Sequence, residues 1–162
     1  RVVRYHNVYG PLGTFDGGRE KAPAALCRKI INAKLKNEKT IDVWGDGNQT
    51  RSFLFISDCL DGTEKVFNSS DQEVFNVGSS EQVSINQMIE IIEDIANIKL
   101  NKNYQLDKPK GVRGRSSDNT KIISKINWKP KVNLRSGLEK TYNWIYKEIT
   151  NGSNVKKFVR NY

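Results

Sequence analysis

Short β-prone runs alternate along this chain with longer stretches whose apolar residues recur at helical spacing, and this alternation limits the fold more than any other feature. Val2, Val3, Tyr5, Val8 and Tyr9 make Arg1–Tyr9 an extended run that stops at Gly10-Pro11. After the glycine-rich stretch from Gly13 to Arg19, apolar positions at Ala24, Ala25, Cys27, Ile30, Ile31 and Leu35 predict a helix, with Pro23 near its start. Ile41 to Trp44 reads as a strand, Gly45-Asp46-Gly47-Asn48 as a turn, and Ser52 to Ile56 as another strand. Ser57 is the expected N-cap of a helix through Cys59, Leu60 and Val66. Val74–Val77 and Val83–Ile85 read as extended pieces. Ser84 or Asn86 caps the clearest helix, whose stripe is Met88, Ile89, Ile91, Ile92, Ile95 and Ile98. A polar loop over Asp107–Ser117, a short helix near Asn119–Lys125 and a helix over Leu134–Ile149 complete the pattern. Strands interleaved with helices predict an α/β protein.

Composition narrows the function. The formal net charge is +9, but lysines such as Lys34, Lys65, Lys99 and Lys125 are scattered singly, as on a solvated surface, so nucleic acid is not the expected partner. No apolar run reaches the roughly 18 residues that a bilayer span needs. Two cysteines, Cys27 and Cys59, and one histidine, His6, leave no metal-ligand spacing, so no metal is expected. Two unpaired thiols fit a reducing cytoplasm. Cys27 lies on the apolar face of its helix and reads as core. Trp128 and Trp144 read as core as well, whereas Trp44 could fill the core or lie beside a nucleobase.

Three landmarks carry chemistry. Arg4-Tyr5-His6-Asn7-Val8-Tyr9-Gly10-Pro11 is the first. Gly45-Asp46-Gly47-Asn48-Gln49-Thr50-Arg51-Ser52-Phe53, a Gly-x-Gly turn leading to an arginine and an aromatic strand, is the second. Val112-Arg113-Gly114-Arg115-Ser116-Ser117-Asp118, with an arginine three residues before an aspartate, is the third. Their order and spacing resemble the extended short-chain dehydrogenases, the NAD-dependent epimerase/dehydratase family. The tract from Gly17 through Arg19-Glu20-Lys21-Ala22-Pro23 to Ala25 closely resembles the branch of that family that epimerises GDP-mannose at C3 and C5.

The resemblance implies the C-terminal, substrate-binding part of a Rossmann-type fold, a small domain of mixed short strands and helices over residues 1–152 followed by a loose tail over 153–162. The dinucleotide-binding half is expected to lie upstream, because no glycine-rich fingerprint followed by an acidic residue occurs here and the chain opens with Arg1 inside a strand. The isolated chain is therefore expected to be inactive, and the full-length enzyme to be a cytoplasmic homodimer. Arginine forks suit a diphosphate, whose charge must be paired. The resemblance gives this role to Arg51 and Arg115, expected on opposite sides of one nucleotide-sugar diphosphate. Asn7, Glu20, Lys21, Ala22, Lys29, Gln49 and Thr50 complete the implied substrate contacts. Lys21 is the implied proton-exchanging group, because epimerisation beside a carbonyl needs an acid and a base on opposite faces of the sugar. NAD is the implied cofactor, touched by Tyr5 and His6. The resemblance implies a further small polar contact in the tail, which is either Asn161 or missing from this sequence.

Two rival readings differ in chemistry. One is a 4-epimerase, dehydratase or decarboxylase acting on a UDP- or dTDP-sugar; the other is a non-catalytic basic binding module. Tyr104-Gln105-Leu106-Asp107-Lys108 imitates the family's Tyr-x-x-x-Lys dyad, but Pro109 makes a helix there unfavourable, so the match reads as chance.

Overall fold

The computed structural model describes residues 1–108 and 111–152. The tail over 153–162, with Asn161, and Pro109 lie outside the described residues. The run at the start of the chain divides into β1 (Val2–Tyr5) and β2 (Val8–Tyr9). The break falls at Asn7, whose φ of 40° is a conformation that asparagine tolerates better than most residues. α1 (Ala22–Leu35) leads to β3 (Thr40–Trp44), the turn at Gly45–Gln49, β4 (Thr50–Ser52), β5 (Leu54–Phe55) and α2 (Ile56–Asn68). β6 (Val74–Val77), β7 (Gln82–Ser84), α3 (Ile85–Ala96), β8 (Asn101–Gln105), β9 (Gly114–Arg115), α4 (Thr120–Ile126) and α5 (Leu134–Thr150) follow.

The strands form four small sheets. β1 pairs with β6, β2 with β5 and β3 with β8, all in parallel; β4 lies between antiparallel β7 and parallel β9. The larger core packs α1, α3 and α5 against β3 and the aromatic residues Tyr9, Phe53 and Phe55, with Cys27, Ile30, Met88, Ile92, Leu138 and Ile145 fully buried. The smaller core lies under β1 and β6 and gathers Leu54, Val66, Phe75, Val77, Ile122 and Trp128. Gly62 lets α2 approach the Trp128 indole, since a Cβ there would come within 2.8 Å of the ring.

Several local expectations are corrected. Ser57 caps nothing: α2 starts one residue before it, at Ile56, and the N-cap Phe55 provides no side-chain bond. The strand predicted over Ser52–Ile56 is two short pieces, because Phe53 leaves the ladder between β4 and β5. Trp144 is half-buried rather than fully buried: it packs against the larger core and edge-on against Phe15, with centroids 5.4 Å apart. The loop predicted over Asp107–Ser117 contains β9. β8 was not foreseen; it holds Tyr104 and Gln105 in a strand, so the chance Tyr-x-x-x-Lys match begins in a strand. Between the two candidates at the next helix, Ser84 is the cap, in a reciprocal box with Gln87.

Candidate functional site

β4 and β9 bring the second and third landmarks together. In their parallel register Arg51 stands directly opposite Arg115, and Thr50 opposite Gly114. Residues opposite one another on neighbouring strands project from the same face. The two arginines are therefore side by side on one sheet rather than facing each other from opposite sides as expected. Arg51 is half-buried, and its Nη1 donates to the Thr50 carbonyl at 2.6 Å. A Cβ on Gly111 would come within 3.2 Å of Arg51 Nη2, so the loop backbone runs close over the guanidinium. Arg115 is exposed. Among the described residues neither arginine has a carboxylate within ion-pair distance.

The rest of the second landmark is held by its turn. Gly45 and Gly47 both have φ of 74°, which glycine adopts without strain. Asn86 Nδ2 donates to the Asp46 carbonyl at 3.1 Å, tying the turn to the start of α3. Gln49 reaches back to the Trp44 carbonyl at 3.1 Å. Thr50 donates to Gln82 Oε1 at 2.9 Å, and Gln82 donates to Ser116 at 3.3 Å, a polar row linking β4, β7 and the residue after β9 that the sequence did not reveal. Asn7 donates to the Ser52 carbonyl at 3.0 Å, which fixes the end of β1 to the end of β4.

α1 presents the third group of predicted residues. Lys21 is its N-cap, with extended backbone, an exposed side chain and no capping bond. Serine, threonine, aspartate and asparagine are preferred at this position, and a cation there faces the positive end of the helix dipole. Local helix stability therefore does not explain a lysine at this place. Glu20 does not pair with Lys21. Its carboxylate accepts from Arg28 at 3.0 Å and from the Gly18 backbone N–H at 2.7 Å. Burial pushes the Glu20 carboxyl up, but the backbone hydrogen bonds and Arg28 outweigh it and hold the group below its ordinary value. Ala22 and Lys29 lie seven residues apart, on nearly the same helical face. Lys29 is half-buried, and its Nζ donates to the Asp42 carbonyl at 3.0 Å. Burial lowers its pKa, partly offset by the Asp42 charge.

Trp44 is 55% exposed and is not core. Cys27 is fully buried, and burial pushes its thiol far up, so it is chemically quiet. Tyr5 and His6 sit at the C-terminal end of parallel β1, beside Val77 at the end of β6, the end at which such sheets bind ligands. The Tyr5 ring is half exposed, and its hydroxyl lies 3.0 Å from the Thr63 hydroxyl. Two open concavities lie elsewhere. One, of about 630 Å³, runs between α2 and α4, and the other is lined by Ser79–Glu81 and Pro130–Asn133, so neither includes the arginines. The paired arginines are a better guide to function than hollow volume, because among the described residues they are ordered charges with no carboxylate in ion-pair distance.

The model of the family described as GDP-mannose 4,6 dehydratase matches residues 2–141. A protein named GDP-mannose 3,5-epimerase 1 from Oryza sativa subsp. indica is 48% identical over 149 residues, covering 92% of this chain and 38% of that protein. The GDP-mannose 3,5-epimerase of Arabidopsis thaliana is 46% identical over the same shares. The UDP-glucose 4-epimerase of Thermotoga maritima, solved with UDP-glucose, superposes with a TM-score of 0.80 at 29% identity, covering 91% of this chain and 46% of that one. The UDP-glucuronic acid 4-epimerase of Bacillus cereus, solved with UDP-glucuronic acid and NAD, gives 0.74 at 31% identity, covering 91% of this chain and 45% of that one. The chain thus spans less than half the length of these relatives. Matched from Val2 to Thr141 by the family model, it belongs to the GDP-mannose 4,6 dehydratase family.

Proposed function

We propose that the protein to which this chain contributes is an NAD-dependent nucleotide-sugar epimerase acting on GDP-mannose, and that residues 1–152 are its substrate-binding region. The observation that carries this reading is the arginine pair, Arg51 beside Arg115 on β4 and β9, with no acid to neutralise it among the described residues. Two guanidinium forks on one face match the two charges of a diphosphate. The identity to enzymes named GDP-mannose 3,5-epimerase supports the choice of sugar nucleotide. Asn7, Gln49 and Thr50 would border the diphosphate, and Lys29 and Trp44 would lie toward the base. Glu20, Lys21 and Ala22, at the start of α1, would meet the hexose, with Arg28 holding Glu20 in place.

Bound NAD would supply reversible oxidation at C4 of the hexose, with Tyr5 and His6 at its edge and the remainder of its site in another part of the protein. A carbonyl at C4 acidifies the neighbouring C–H bonds at C3 and C5. Lys21 then moves the proton on one face, and its counterpart on the other face belongs outside this chain. The working enzyme is taken to be a homodimer in the cytoplasm. Among the described residues no helix is long and apolar enough to cross a membrane.

The test is solvent deuterium incorporation into GDP-mannose by the full-length enzyme. Deuterium should enter at C3 and C5. Lys21→Ala should slow this by about 10²-fold or more, the usual contribution of a positioned acid or base, while oxidation at C4 persists. Exchange at the wild-type rate in that variant would overturn the role of Lys21. The UDP-sugar structures at TM-scores of 0.80 and 0.74 favour a second reading, a 4-epimerase. Inversion at C4 with no deuterium at C3 or C5 would establish it.

A further inference from the structure

The outer face of β3 and β8 carries a polar array that the diphosphate and the hexose leave unused. Asp42 and Trp44 alternate along β3 and so project from one face. Asn103 stands opposite Asp42 in the parallel ladder, and Gln105 opposite Trp44. Asn103 Nδ2 donates to Asp42 Oδ1 at 2.7 Å, and Gln105 Nε2 donates to the same oxygen at 3.4 Å. Two donors fill the two lone-pair directions of Oδ1. Oδ2 has no hydrogen-bond partner among the described residues, and the carboxylate is exposed.

This placement is rigid. The Gly45 N–H closes the end of the ladder on the Gln105 carbonyl at 2.8 Å. The entry to β8 is pinned by Leu100 N–H, which donates to the buried Glu93 carboxylate at 3.0 Å. Beside the array the Trp44 indole is 55% exposed and stacks on no aromatic ring among the described residues. An exposed aromatic face is a stacking platform for a base. One tight turn, tied by the Gln49 to Trp44 bond, separates this platform from Arg51.

An acceptor-only carboxylate selects among bases by the donors they present. Guanine offers adjacent N1–H and N2–H donors on its Watson–Crick edge. Uracil and thymine offer one imide N–H flanked by two carbonyl oxygens, which a carboxylate repels. Adenine offers one amino group beside an acceptor nitrogen. We infer that Asp42, oriented by Asn103 and Gln105 beside the Trp44 indole, is the residue that selects guanine over other bases. The inference rests on the proposed function, which brings a nucleoside diphosphate to this edge of the molecule. Asp42 is a specificity residue here and takes no part in proton transfer.

Calorimetric titration of the full-length protein with GDP, IDP and UDP tests it. IDP differs from GDP only in lacking the 2-amino group. Wild-type protein should bind GDP about tenfold or more tighter than IDP, as expected when a hydrogen bond to a charged group is lost. Asp42→Ala should bring the two affinities within about twofold of each other. Asp42→Asn should weaken GDP binding at least as much, because its amide turns donors toward a donor edge. An unchanged melting temperature confirms that each exposed substitution leaves the fold intact. If wild-type protein binds GDP and both variants keep the wild-type GDP-to-IDP ratio, the role of Asp42 is overturned and the proposed function stands. If wild-type protein binds UDP but not GDP, the choice of GDP-mannose itself is overturned.

Discussion

Charges in the α-helical half of the molecule and charges on the β4–β9 rim are treated in opposite ways. Glu93 is 1% exposed, accepts the Leu100 N–H, and has Lys99 and Lys102 within 3.6 and 3.9 Å. Glu20 is likewise answered by Arg28 and a backbone N–H. Arg51 and Arg115 stand in register on ordered strands with no carboxylate within ion-pair distance among the described residues. Burying a charge without a partner costs stability, and Arg51 is half-buried, so a fold built for stability alone would match it. Where charges are matched internally they hold elements together; for the two unmatched arginines we propose that the partner is the ligand.

The contrast is open to experiment on both sides. The largest effect belongs to the rim. Arg51→Ala with Arg115→Ala in the full-length protein should weaken GDP-mannose binding by about 100-fold or more, each lost charged hydrogen bond being worth about tenfold. Calorimetry reads this loss, and the melting temperature should stay close to wild type. In the helical half, Glu93→Ala should do the reverse, costing about 2–3 kcal/mol in a denaturant melt because the Leu100 N–H and the space around it are left unfilled. In the smaller core, Gly62→Ala should cost about 1–3 kcal/mol by pressing a methyl group on Trp128, measured in the same melt.

The smallest effect concerns Glu20, ahead of α1. Its carboxyl is held below the ordinary value of 4.5 in the folded chain. The stability it provides is therefore present above that value and is lost as pH falls through the lower folded pKa. Glu20→Gln should destabilise by about 1 kcal/mol near neutral pH, and the gap from wild type should close under acid conditions. Melts of both proteins across the acid range test this, and a gap that widens toward low pH would contradict it.

The same division explains what could be read in the sequence. α1, α3 and α5 were legible because a buried helix face leaves a repeating apolar stripe, as in Met88, Ile89 and Ile92. The turn at Gly45–Asn48 was legible from its glycines. β8 was not, since Asn101-Lys102-Asn103-Tyr104-Gln105 carries no apolar alternation and owes its form to the ladder with β3. The cap at Ser57 failed because the entry of α2 is set by how Phe55 and Ile56 pack, not by a side-chain bond. In the site, the landmarks pointed to Arg51 and Arg115, but their side-by-side register depends on a two-residue strand that spacing does not reveal. The Glu20–Arg28 pair spans eight residues, twice the separation at which helical side chains meet, so it depends on how the chain ahead of α1 folds back and spacing does not reveal it.

A crystal structure of the full-length protein with GDP-mannose bound tests the central claim most directly. The account predicts both diphosphate groups within hydrogen-bonding distance of the Arg51 and Arg115 guanidinium groups, with the hexose toward Lys21. A diphosphate held by other residues, with both arginines left in solvent, would contradict it.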